Sequence, residues 1–95
     1  MTPQEIARNW LASNRKKIEM RGFEVSLNEY SGEVVAVVEL ISENLLAQIH
    51  IFNNGWVTCY GGTIQGEVDI TPTVDDRLST AENLDAMLEQ ILSHA

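Results

Sequence analysis

Apolar positions recur along the chain in two different rhythms. Near the start, Ile6, Trp10, Leu11 and Ile18 fall at helical spacing, with Ala7 beside them. The segment opens on Thr2-Pro3-Gln4-Glu5. Thr at the N-cap, Pro at the first helical position and Glu three residues after the cap form a capping box, in which each side chain satisfies a free backbone N–H. Gly22 stands where a left-handed C-terminal cap belongs. Arg15, Lys16, Lys17 and Arg21 crowd the final turns, where the helix dipole favours cations.

From Phe23 the rhythm changes to alternation. Phe23, Val25 and Leu27 alternate with Glu24, Ser26 and Asn28, the pattern of a strand with one wet face. After a turn at Ser31-Gly32, Glu33 to Ile41 is apolar on both parities and reads as a central strand. Ser42-Glu43-Asn44 turns the chain into Leu45 to Phe52. There Ala47, Ile49 and Ile51 point one way, and Gln48, His50 and Phe52 the other. Asn53-Asn54-Gly55 is a hairpin signal, and Trp56 to Tyr60 is a fourth strand that Gly61-Gly62 is expected to stop. Val68 and Ile70 suit a short fifth strand at the sheet edge, ended by Pro72. A second capping box, Ser79-Thr80-Ala81-Glu82, starts a helix whose apolar stripe is Leu84, Met87, Leu88, Ile91 and Leu92. The expected fold is α+β in the order α-β-β-β-β-α. Short connections between strands imply a four-stranded antiparallel meander with both helices packed on one face.

A chain of 95 residues makes one domain, 1–95, with one modest core. Charge changes the picture more than size does. Fourteen Asp and Glu stand against six Lys and Arg, a net charge of −8. Its distribution is lopsided. The first helix carries five bases and two acids, +3, whereas from Gly22 onward twelve acids face one base, Arg77, a net −11. An acidic body is poorly suited to nucleic acid, because phosphate contacts need a basic patch. It suits a basic protein partner, whose approach complementary charge would accelerate.

Candidate chemistry is sparse, and no enzyme and no cofactor are expected. His50 lies on the polar parity of its strand with no sequence marker for a nucleophile or an orienting carboxylate, and His94 is in a terminal turn. The single cysteine, Cys59, can form no internal disulfide and reads as a buried, inert thiol. Asp75-Asp76 lacks the spaced oxygen ligands of a calcium loop, and no metal is expected. Gly61-Gly62 with Gly66 does not form a phosphate-binding glycine motif. The residues expected to meet a partner are the aromatics Phe52, Trp56 and Tyr60 together with the acids Glu67, Asp69, Asp75 and Asp76. The chain starts without a charged region followed by an apolar stretch. Its longest near-apolar run, Val34 to Ile41, is interrupted by Glu39 and far short of the ~20 residues of a membrane span. A cytoplasmic protein with no membrane contact is therefore expected.

The combination of Ile6-Ala7-Arg8-Asn9-Trp10 in a capped first helix, Arg21-Gly22-Phe23-Glu24-Val25-Ser26-Leu27 entering a meander, and an amphipathic helix from Leu84 to Leu92 resembles a known group. These are the small acidic immunity proteins of bacterial contact-dependent growth inhibition and related polymorphic-toxin systems, above all the TriTu-like immunity group. The resemblance implies a cytoplasmic protein that binds one cognate toxin domain, one-to-one, and blocks it. The toxins of such systems are often nucleases, including tRNA-cleaving ones, and some act together with elongation factor Tu. It supplies no catalytic residues. The alternative is a small acidic type III secretion chaperone, a homodimer that binds an extended segment of a secreted effector; that family usually runs longer, with further strands and a third helix.

Overall fold

The computed structural model describes residues 1–63, 66–67 and 77–94. Helix α1 (Pro3–Met20) leads into five strands, β1 (Glu24–Glu29), β2 (Val34–Ile41), β3 (Leu45–Phe52), β4 (Val57–Thr63) and β5 (Gly66–Glu67), and helix α2 (Thr80–Ser93) follows. The strands lie side by side in chain order, each antiparallel to the next. The expected α+β meander between two helices is therefore the fold.

Both helix starts are fixed as their sequences dictate. The Glu5 amide donates to Thr2 Oγ1 at 3.2 Å and the Thr2 amide to Glu5 Oε1 at 3.3 Å. The Thr2 amide and hydroxyl, both donating to Glu5 Oε1, lower the pKa of the Glu5 carboxyl. Ser79 and Glu82 repeat the exchange at α2, at 3.2 and 3.1 Å. Gly22 has φ +89°, the left-handed conformation expected after α1.

One core fills the space between the helices and the inner face of the sheet. α1 contributes Ala7, Trp10, Leu11 and Ile18; α2 contributes Leu84, Met87, Leu88, Ile91 and Leu92; the strands contribute Val38, Leu40, Ala47, Ile49, Ile51 and Val57 among others. Full burial of one such aliphatic side chain contributes about 1.5–3 kcal/mol. Trp10 Nε1–H donates to Asp85 Oδ1 at 2.8 Å, joining the two helices above the core. The bases of α1 are also used internally. Arg8 pairs with Glu29 at 3.2 Å, Arg15 donates to the Val25 carbonyl at 3.3 Å, and Arg21 donates to the Leu92 carbonyl at 3.1 Å. The last contact brings a cation to the end of α2, whose own final turn has none.

The largest departures from expectation are at the end of β4 and at the fifth strand. Gly61 and Gly62 do not stop β4, which continues to Thr63 because Leu45, Leu46 and Ala47 of the long neighbouring strand pair with Thr63, Gly62 and Gly61. Pairing holds these glycines extended despite their low intrinsic preference for a strand. The described fifth strand is Gly66–Glu67, paired with Thr63 and Gly62; Val68, Ile70 and Pro72 lie outside the described residues. β2 is interior to the sheet, and its apolarity on both parities comes from a local irregularity at Val35 and from apolar Val37 and Ile41 on the outer face. A register shift between Val34 and Ala36 inserts Val35 as a bulge, and Val35 and Ala36 are both buried. Beyond the bulge, Val38 and Leu40 point inward, while Val37, Glu39 and Ile41 point away from the helices.

Candidate interaction face

The outer face of the sheet is built by strand alternation. Its rows run across the ladders: Asn28, Val37, His50 and Thr58; then Ser26, Glu39, Gln48 and Tyr60; then Glu24, Ile41, Leu46 and Gly62. Both helices pack on the opposite side, so large apolar side chains remain in the open. Tyr60 is 61% exposed, Leu46 and Trp56 48%, and Ile41 41%. An open sheet face ordinarily carries polar side chains, and exposed apolar side chains in adjacent rows, here Ile41 and Leu46 beside Tyr60, mark a candidate site of association.

The centre of the face is ordered by side-chain contacts. Gln48 Nε2–H donates to Glu39 Oε2 at 2.8 Å, and His50 Nε2 lies 3.1 Å from Gln48 Oε1. The amide oxygen is an acceptor, so this geometry favours the tautomer with a proton on Nε2. The rings of His50 and Tyr60 meet edge to face, centroids 5.2 Å apart. Thr58 Oγ1 is buried in this row without a hydrogen-bond partner among the described residues. At one end of the face, the Phe52 amide donates to the Trp56 carbonyl at 2.8 Å, closing the hairpin with Phe52 and Trp56 opposite one another. Gly55, at φ +90°, makes that turn, and its carbonyl accepts from Thr80 Oγ1 at 3.0 Å, which ties the hairpin to the start of α2.

The structure thus brings three of the expected residues, Phe52, Trp56 and Tyr60, onto or beside one face. Phe52 is half-buried, Trp56 and Tyr60 exposed. Glu67 pairs with Gly62 through its backbone. Asp69, Asp75 and Asp76 lie outside the described residues. Ile41, Leu46, Gln48 and Glu39 complete the face and were absent from the expected set. Their signal was present in the alternation of β3, where Leu46 shares the parity of Gln48, His50 and Phe52.

The charge of this face is of one sign. Glu24 and Glu39 lie on it and Glu43 on the adjoining turn, whereas residues 22–76 contain no Lys or Arg. Of the described bases, Arg8, Arg15, Lys16, Lys17 and Arg21 belong to α1 and its cap, in the helical layer, and Arg77 precedes α2. Cys59 pairs with Ile49 on the inner face, buried, and burial pushes its thiol up to about 11. His50 points to the other side of the sheet, so the two cannot form a nucleophile–base pair. Among the described residues, no group of three or more His, Cys, Asp or Glu could hold a metal ion. No helix among them is long and apolar enough to cross a membrane. A separate groove of about 420 Å³ lies where the helices meet, with Trp10, Asp85, Ile6 and Thr80 on its walls.

No family model, curated protein or solved structure matches the chain.

Proposed function

We propose that the chain is a protein-binding inhibitor of the immunity type, which holds a basic toxin domain one-to-one and blocks it in the cytoplasm of the producing bacterium. The observation that carries this is the outer sheet face, where exposed Tyr60, Trp56, Leu46 and Ile41 are accompanied by the carboxylates of Glu24 and Glu39 and by no Lys or Arg from the strands. Aromatic and aliphatic groups supply short-range affinity at such a surface, and charge of one sign speeds encounter and selects the partner. A nuclease toxin has a basic substrate groove, to which this face is electrostatically complementary. The resemblance of the capped first helix and the Arg21–Leu27 entry to immunity proteins supports the same function. In this account the chain performs no chemistry of its own and uses no cofactor. Where the toxin acts with elongation factor Tu, a larger complex including that factor is expected.

The test is to identify a toxin gene adjoining that of the chain and to co-purify its toxin domain with the chain, with toxin activity assayed at rising ratios of chain to toxin. A one-to-one complex and complete inhibition at equimolar chain are expected. A homodimer that binds extended effector segments, and no folded toxin domain, would instead make the chain a secretion chaperone.

A further inference from the structure

A trough crosses the outer face at the end of the sheet away from the Asn53–Gly55 turn. It consists of two adjoining recesses, of about 370 and 220 Å³, which share Leu46 and Gly62. Gly62 lies opposite Leu46 in the β3–β4 ladder and has no side chain to fill the space above its backbone. A Cβ built there would meet only Gly66 O, at 3.9 Å. Leu46 forms an apolar wall. Tyr60 and Gln48 bound one end of the trough, and the Ser42–Asn44 turn bounds the other. Glu43, in that turn, is exposed and bonded to no other side chain among the described residues.

We propose that this trough receives a cationic side chain with an aliphatic stem, an arginine or lysine presented by the partner. The proposal rests on the assignment of the outer face to a basic protein and names what that face recognises. The stem lies along Leu46 and over the bare backbone of Gly62, and the cationic head meets Glu43. Long basic side chains combine these two properties, an apolar stem and a charged tip. Charge complementarity selects them, since Glu43 lines the trough and no Lys or Arg does.

The same geometry provides a variant that closes the trough without disturbing the fold. Gly62 is not among the glycines with positive φ, and the contact awaiting a Cβ is an ordinary one. Gly62→Val therefore places a β-branched side chain in a strand that accepts it and fills the floor of the trough.

The experiment is a titration of the 15N-labelled chain with Nα-acetyl-arginine methylamide. The lysine analogue is run in parallel, and the citrulline analogue is the uncharged control. Saturable amide shifts at Glu43, Leu46, Gly62 and Thr63 are expected with a Kd on the order of 10 mM, as suits a ligand so small. Citrulline should bind about three- to fivefold more weakly, and Glu43→Gln should reduce arginine binding by the same factor, the effect of losing one exposed ion pair. Gly62→Val should abolish the shifts and melt no lower than the parent. If it folds poorly, Glu43→Gln, in an exposed turn, still decides the matter. Citrulline binding equal to arginine binding, shifts spread over all the acidic residues, or an unaltered response in Gly62→Val would overturn the proposal. No partner protein enters this titration, so failure of the trough and failure of the wider assignment to a basic toxin are distinguishable.

Discussion

The ring of His50 stands edge-on to that of Tyr60, with centroids 5.2 Å apart and planes inclined at 67°. The two are diagonal neighbours on β3 and β4, since Gln48 pairs with Tyr60 and Thr58 with His50. Through Gln48 the contact extends to the Glu39 carboxylate. This contact restrains the exposed phenol, which would lower the entropy lost if the proposed partner binds there.

Tyr60→Ala should accordingly separate stability from binding. The side chain is 61% exposed, so its loss should cost about 1 kcal/mol or less in thermal or urea unfolding, roughly the value of one aromatic pair. Dissociation from the partner should quicken by about tenfold or more, as expected for a central aromatic contact. Unfolding curves together with surface-bound kinetics check both outcomes. Unchanged dissociation would remove Tyr60 from the interface.

Trp10 predicts the opposite behaviour. It is buried and donates to Asp85 at 2.8 Å. Trp10→Ala should destabilise by about 3–5 kcal/mol. Asp85→Ala, which removes only a charged acceptor at a partly buried bond, should cost about 1.5–3 kcal/mol. Neither should change partner affinity once the loss of folded protein is allowed for. A Trp10→Ala protein that melts like the parent would show that this helix face is not the core face.

Much of this architecture was legible in the sequence because its local signals agree with the fold. Thr2/Glu5 and Ser79/Glu82 mark both helix starts, and the alternation of Leu45 to Phe52 separates inner from outer face residue by residue. Pairing information was less accessible. Gly61-Gly62 looks like a strand end from local propensity and becomes a strand interior only because β3 is long enough to pair with it. The bulge at Val35 likewise depends on the partner strand, and together with the outward Val37 and Ile41 it makes β2 look apolar on both parities although one face of the sheet is open. For the candidate site, Phe52 could be placed on the outer face from the parity of β3, where it is half-buried, whereas the trough over Gly62 arises from an absent side chain opposite Leu46, which no single-strand pattern reveals.

Cys59 supplies a pH prediction. Its thiol is raised to about 11 by burial, from an ordinary value of 9.0. A group raised in the folded state favours folding fully below its unfolded pKa. That contribution is lost as pH rises through 9 toward 11, where the unfolded thiol ionises first. Urea unfolding of the parent should therefore weaken over this alkaline window relative to Cys59→Ala, which lacks the group. Thiol-directed reagents at pH 8 should label the native protein only as fast as it opens. Immediate labelling would contradict the burial of Cys59.

The most direct measurement of the central claim is association kinetics with the proposed cognate toxin domain, taken across a salt series. The parent would be compared with Glu39→Gln/Glu43→Gln on the outer side and with Lys16→Gln/Lys17→Gln on the helical side. Exposed charges act over about 8–10 Å at physiological salt. The parent's association rate should therefore fall steeply with added salt, while dissociation changes little. The Glu39/Glu43 variant should associate more slowly at low salt with a shallower salt dependence, and the Lys16/Lys17 variant should match or exceed the parent. Parental kinetics in the Glu39/Glu43 variant, with binding abolished in the Lys16/Lys17 variant, would place the interface on α1 and contradict the account.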